Sequence, residues 1–113
     1  AEDLAALARE LLRACQGRSG LFPREVVDEF FRPRQIGRAT RAVGWNLMEE
    51  KPGRMMNHNG FTGTYLELDL DRNRFVVLLT NRVHPSRDNN SVSRVRREFL
   101  AAVERQFDPP ADP

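Results

Sequence analysis

Tyr65-Leu66-Glu67-Leu68-Asp69-Leu70-Asp71-Arg72-Asn73-Arg74-Phe75-Val76-Val77-Leu78-Leu79 is the stretch on which the fold turns. Leu66, Leu68 and Leu70 alternate with Tyr65, Glu67 and Asp69, a period of two that sends apolar side chains to one face of a strand and polar ones to the other. Phe75–Leu79 is apolar without a break, the pattern of a strand buried on both faces. Asp71-Arg72-Asn73 between them is too short for a crossover, so the two strands form an antiparallel hairpin.

Upstream, Ala42–Met48 reads as a further strand carrying Trp45, with a turn at Pro52-Gly53. Residues 3–16 read as an amphipathic helix, because Leu4, Leu7, Leu11, Leu12 and Cys15 recur at helical spacing and Gly17 stops it. A second, short helix starts at Pro23, buries Val26, Val27, Phe30 and Phe31, and ends at Pro33. An Arg-rich connector then runs through Gly37 to Arg41. Downstream, residues 81–90 form a polar loop, and Asn90 or Ser91 caps a last helix with Val92, Val95, Phe99, Val103 and Phe107 on one stripe. The order predicts an α+β fold, an antiparallel sheet with helices packed on it. One domain is expected over 1–107, and the proline-rich residues 108–113 are expected to be a disordered tail.

Composition narrows the function classes. The 113 residues are 40% hydrophobic, enough for a packed core. The longest apolar run, Phe75–Leu79, is far below the ~20 residues of a membrane span, so no membrane partner is expected. The acidic start Ala1-Glu2-Asp3 is not a secretory signal, and the compartment is not legible. One cysteine, Cys15, excludes an intramolecular disulfide and reads as a small buried hydrophobe. His58, His84 and Cys15 have no metal-ligand spacing. Net charge is only +2, although 17 of the 18 basic residues are arginine. The clusters Arg32, Arg34, Arg38, Arg41 and Arg94, Arg96, Arg97 lack interleaved aromatics, so they read as a solvated face rather than a nucleic-acid footprint.

The run Asn57-His58-Asn59-Gly60-Phe61-Thr62-Gly63-Thr64, followed by the hairpin and by Thr80-Asn81-Arg82-Val83-His84-Pro85, resembles the C-terminal part of β-lactamase-related serine hydrolases and penicillin-binding proteins. In that family a Ser-x-x-Lys motif carries the nucleophile, and a third motif, Lys-Thr-Gly or His-x-Gly, edges the site. His58-Asn59-Gly60 matches the third motif, with Asn59 in place of the usual hydroxyl residue. The first helix and Gly44-Trp45 resemble the segments preceding it. The resemblance implies the β-lactamase/transpeptidase-like fold and an acyl transfer on an ester or amide, β-lactams included, with no metal or cofactor. It implies that the Phe61 backbone N–H is one oxyanion donor, and that His58, Asn59, Gly60 and Thr62 line the substrate site. Gly60 is expected to let substrate and a neighbouring helix approach the strand.

The nucleophile is absent. None of Ser19, Ser86, Ser91 and Ser93 has a lysine three residues on, the one lysine, Lys51, sits in a turn, and Tyr65 follows the third motif. A chain opening inside the first turn of a helix fits a truncated, C-terminal fragment. The expectation is one part of a serine hydrolase, inactive alone, whose open sheet edge self-associates or takes a complementary chain. The alternative is a non-catalytic binding or structural module on the same scaffold.

Overall fold

The computed structural model describes residues 1–108, in the order α1 (Glu2–Cys15), α2 (Arg24–Phe31), β1 (Arg34–Ile36), β2 (Ala39–Ala42), β3 (Trp45–Leu47), β4 (Met55–Asn59), β5 (Tyr65–Asp69), β6 (Arg74–Leu78) and α3 (Val92–Phe107). The six strands lie in one sheet in chain order, each antiparallel to the next. Consecutive neighbours of this kind need only turns between them, and the expected α+β fold is what forms.

Two stretches depart from the expectation. The Arg-rich connector is a hairpin: Ile36 pairs with Ala39 across Gly37-Arg38, and Gly37 has φ 63°, the conformation that the first loop position of a II′ turn requires. Ala42–Met48 is two strands, because Ala42 pairs with Trp45 around the turn Val43-Gly44. The signal was weak because most of β1 and half of β2 are exposed, so little buried face imposes a period of two there.

Register assigns the two faces of the sheet. Met56 pairs with Leu68, Leu68 with Phe75 and Leu47 with Met56, so all four side chains point to one side. There they meet Ala8 and Leu12 of α1 and Val27 and Phe31 of α2 in the main core. Met56 and Leu68 are fully buried, which is worth about 1.5–3 kcal/mol each. Trp45 joins this core, edge-on to Phe31 with ring centroids 5.9 Å apart. Only one row of α2 reaches it; Val26 and Phe30, expected inside, are about half exposed.

The opposite face was expected to be solvated and is not. Tyr65, Glu67 and Asp69 are all buried. Above them lies α3, with the Arg96 guanidinium 4.8 Å from the centre of the Tyr65 ring and Glu104 2.6 Å from Arg74. The Tyr65 hydroxyl donates to Glu67 at 2.5 Å, and Asp69 accepts from the Arg72 backbone and guanidinium. The buried carboxylates fit this layer because they find partners within it, although Arg74 Nε and Arg96 Nε are buried there without a partner among the described residues.

Cover thins towards β6. Only Val76 is buried there and Leu79 is exposed, against the expectation of a strand buried on both faces. No α3 residue is fully buried, and an open cavity of about 420 Å³ separates α3 from β6, lined by Phe75, Val76, Val77, Phe99, Val103 and Phe107. Among the described residues nothing pairs with the outer edge of β6. Of the expected tail, Asp108 ends α3 and reaches Arg72 at 3.3 Å, while 109–113 lie outside the described residues.

Burial raises the Glu67 carboxyl above the usual carboxylate range, against the Tyr65 hydroxyl and Arg74, which lower it. The stability this group contributes is therefore fully present below its unfolded pKa, about 4.3, and is lost as pH rises through the higher folded value. Glu67→Gln, neutral throughout, should gain stability relative to the native chain between pH 4 and pH 8. Urea unfolding at both pH values measures it, and a difference that does not change with pH refutes the assignment.

Candidate functional site

The site residues sit where β4 outruns β3. The β3–β4 ladder holds Asn46 opposite Asn57 and Leu47 opposite Met56, whereas the β4–β5 ladder continues to His58↔Leu66 and Asn59↔Tyr65. His58 and Asn59 thus have neighbours on the β5 side and an open flank on the β3 side. A cavity of about 410 Å³ occupies that flank, lined by His58, Asn59 and Gly60 with Leu4, Trp45 and Leu66 among its walls. His58 and Asn59 are exposed. By register, His58 shares the face of Leu66, towards α1, and Asn59 shares the face of Tyr65.

After Asn59 the chain leaves the strand. The Gly60 N–H donates to the Thr64 carbonyl at 2.8 Å, and the Gly63 N–H donates to the Gly60 carbonyl at 3.0 Å, closing a β-turn over 60–63. A trans peptide holds its N–H and C=O in opposite directions, so the bond to the Gly60 carbonyl aims the Phe61 N–H away from the turn. That N–H has no hydrogen-bond acceptor among the described residues. Phe61 and Thr62 are exposed on the turn and, unlike His58, Asn59 and Gly60, do not line the cavity.

Gly60 lines the cavity that Leu4 of α1 also lines, and its side-chain position faces the strand that returns. A Cβ there would lie 2.0 Å from Thr64 Oγ1, so what requires the glycine is the hydroxyl of the returning strand. Sequence reasoning also missed the polar layer under the site: Asn46 donates to Asn57 at 3.3 Å, and Asn57 donates to Met48 Sδ at 2.8 Å. The signal available was the Tyr65-x-Glu67-x-Asp69 alternation, which reads as a solvated face until a helix lies over it.

Other reactive groups are engaged elsewhere. Burial pushes the Tyr65 hydroxyl up, as does its bond to Glu67, so it stays protonated and acts as a donor. Burial likewise raises the Cys15 thiol. Ser19 donates to Glu10 at 2.6 Å and accepts from two backbone N–H groups in its turn. Ser86 and Ser91 bond to neighbours in the 86–91 loop. No serine is paired with a basic side chain among the described residues, and no group of three His, Cys, Asp or Glu is placed to hold a metal there.

A helix-flanked antiparallel sheet, with His-x-Gly at a strand end and an unpaired amide just beyond it, defines a β-lactamase-like domain of the serine-hydrolase class. The sequence model of the Beta-lactamase family matches residues 1–101, and the chain belongs to that family. No curated protein and no solved structure matches it.

The turn depends on Gly63, which has φ 105° and whose Cβ would sit 2.3 Å from Thr80 Oγ1 and 3.0 Å from Val92 Cγ2. Gly63→Ala should cost at least about 1–3 kcal/mol. Gly20→Ala, where nothing lies within 4 Å, should stay within about 0.5 kcal/mol of the native chain. Urea unfolding of the two variants compares them, and equal stabilities would refute a strained turn at Gly63.

Proposed function

We propose that this chain supplies one wall and one oxyanion donor of a serine acyl-transfer site acting on an ester or amide, β-lactams included. The observation that carries the reading is the Phe61 N–H, unpaired and turned outward immediately after His58-Asn59-Gly60. A donor of this kind stabilises the charge that develops on the carbonyl oxygen during acyl transfer, and mutation of one such donor costs about 10²–10³ in rate. The substrate lies in the cavity beside β4, with His58 and Asn59 offering polar contacts and Trp45 an apolar wall, and Thr62 exposed on the turn that follows.

The nucleophile comes from residues outside these 113. Acyl transfer needs an activated hydroxyl beside a base, and this sequence has no Ser-x-x-Lys pair. The segment that carries it pairs with the free edge of β6 and covers the apolar cavity between β6 and α3. An uncovered edge of this sort also favours self-association of the isolated chain. The same lack of a nucleophile supports a second reading, a binding module that keeps the cavity without the chemistry.

The isolated chain should not turn over a chromogenic ester or β-lactam, and should self-associate on sedimentation between micromolar and millimolar concentration. Addition of a segment that bears Ser-x-x-Lys and a pairing strand should give a one-to-one complex with turnover. Complex formation and ligand binding without turnover would select the binding module. Turnover by the isolated chain that disappears with one particular serine would overthrow the proposal.

A further inference from the structure

Three consecutive carbonyls of the turn after β4 are bound by the segment that follows β6. Arg82 Nε donates to the Phe61 carbonyl at 2.7 Å, the Arg82 backbone N–H to Thr62 at 2.8 Å, and Thr80 Oγ1 to Gly63 at 2.8 Å. The Arg82 guanidinium also lies over the Phe61 ring, 4.4 Å from its centre, and its Nη1 donates to the Arg87 carbonyl at 3.1 Å. One side chain thus holds both the backbone and the ring of Phe61 while itself being held by the 82–87 loop.

Each peptide is a plane. The Gly60–Phe61 plane is set by the turn's own bond to the Gly60 carbonyl, and the Phe61–Thr62 plane by Arg82. With both planes set, φ and ψ of Phe61 are set, and so is the direction of its N–H. Phe61 is 65% exposed and packs in no core, and besides Arg82 the Arg87 guanidinium lies near its ring, 5.7 Å from its centre. We propose that Arg82 is the positioning residue of this turn, keeping the Phe61 N–H aimed at the substrate oxygen. The inference rests on the oxyanion reading above, which gives that N–H its purpose. Arg82 does not touch substrate; it acts through Phe61. Lysine is a poor substitute, because one ammonium cannot combine the Nε bond, the Nη1 bond and the flat contact with the ring.

Backbone ¹⁵N relaxation on the full chain tests the positioning directly. In the native chain the Phe61 amide should have an order parameter of about 0.85, and in Arg82→Ala it should fall below about 0.6 while the Leu68 amide is unchanged. Arg82→Gln, which keeps one donor towards the Phe61 carbonyl, should fall between them and guards against a variant that does not fold. An unchanged Phe61 amide in folded Arg82→Ala overturns the proposal. In the complex with a nucleophile-bearing segment, Arg82→Ala should lower kcat per titrated site by about 10- to 100-fold with KM nearly unchanged, because the substrate's ground-state contacts lie elsewhere. A loss of titratable sites at unchanged kcat would mean a merely structural role and also overturns it. A complex that never hydrolyses anything counts against the oxyanion reading alone, since the relaxation measurement still decides whether Arg82 holds the turn.

Discussion

Strand β5 has both faces covered, and the rest of the molecule is arranged around that constraint. Leu68 on one face closes the core built from α1, α2 and β4, while Tyr65, Glu67 and Asp69 on the other are roofed by α3. An apolar side chain needs only to be removed from water, but a buried carboxylate needs partners. Glu67 takes the Tyr65 hydroxyl, and Asp69 takes Arg72. Burial works against the Asp69 carboxylate, yet the Arg72 bonds prevail and hold its pKa below the usual range. The sheet is thus apolar on one side and polar on the other, where Glu67 and Asp69 find partners while Arg74 Nε and Arg96 Nε are buried without one among the described residues.

The site follows from unequal strand lengths. Because β3 stops pairing at Asn57, the last two residues of β4 keep a firm neighbour in β5 and an open flank towards Gly44 and Trp45. The turn that follows turns its carbonyls towards the 80–82 segment and leaves the Phe61 N–H free. Rigidity on one side and access on the other are what a preorganised donor needs.

At the far side of the sheet the packing is less complete. Helix α3 is clasped near its end by Arg72 and Arg74 against Glu104 and Asp108, and in its second turn by Arg96 over Tyr65. Between these clasps its apolar stripe stands off from β6. Exposed ion pairs contribute about 0–1 kcal/mol each, and of the two arginines Arg72 is 38% exposed and Arg74 15% exposed.

Much of this was legible in the residues. Helical spacing from Leu4 to Cys15 placed α1, and the alternation at Leu66–Leu70 followed by Phe75–Leu79 placed the β5–β6 hairpin, because periodicity reports a buried face wherever one exists. The His58-Asn59-Gly60 match pointed to the family to which residues 1–101 belong. The β1–β2 hairpin was not legible, since a mostly exposed ribbon buries little of a face and leaves no clear period to read. Nor was the burial of Glu67 and Asp69: a charged alternation looks the same in solvent as beneath a helix, and only the position of α3, some 25–40 residues further along the chain, made it an interior. Sequence determined by itself α1, the β5–β6 hairpin and the motif before it, because a buried face imposes a period on neighbours a few residues apart. Tertiary structure alone decided that Arg82 braces Phe61, because that contact joins groups 21 residues apart which meet only after β4, β5 and β6 have paired.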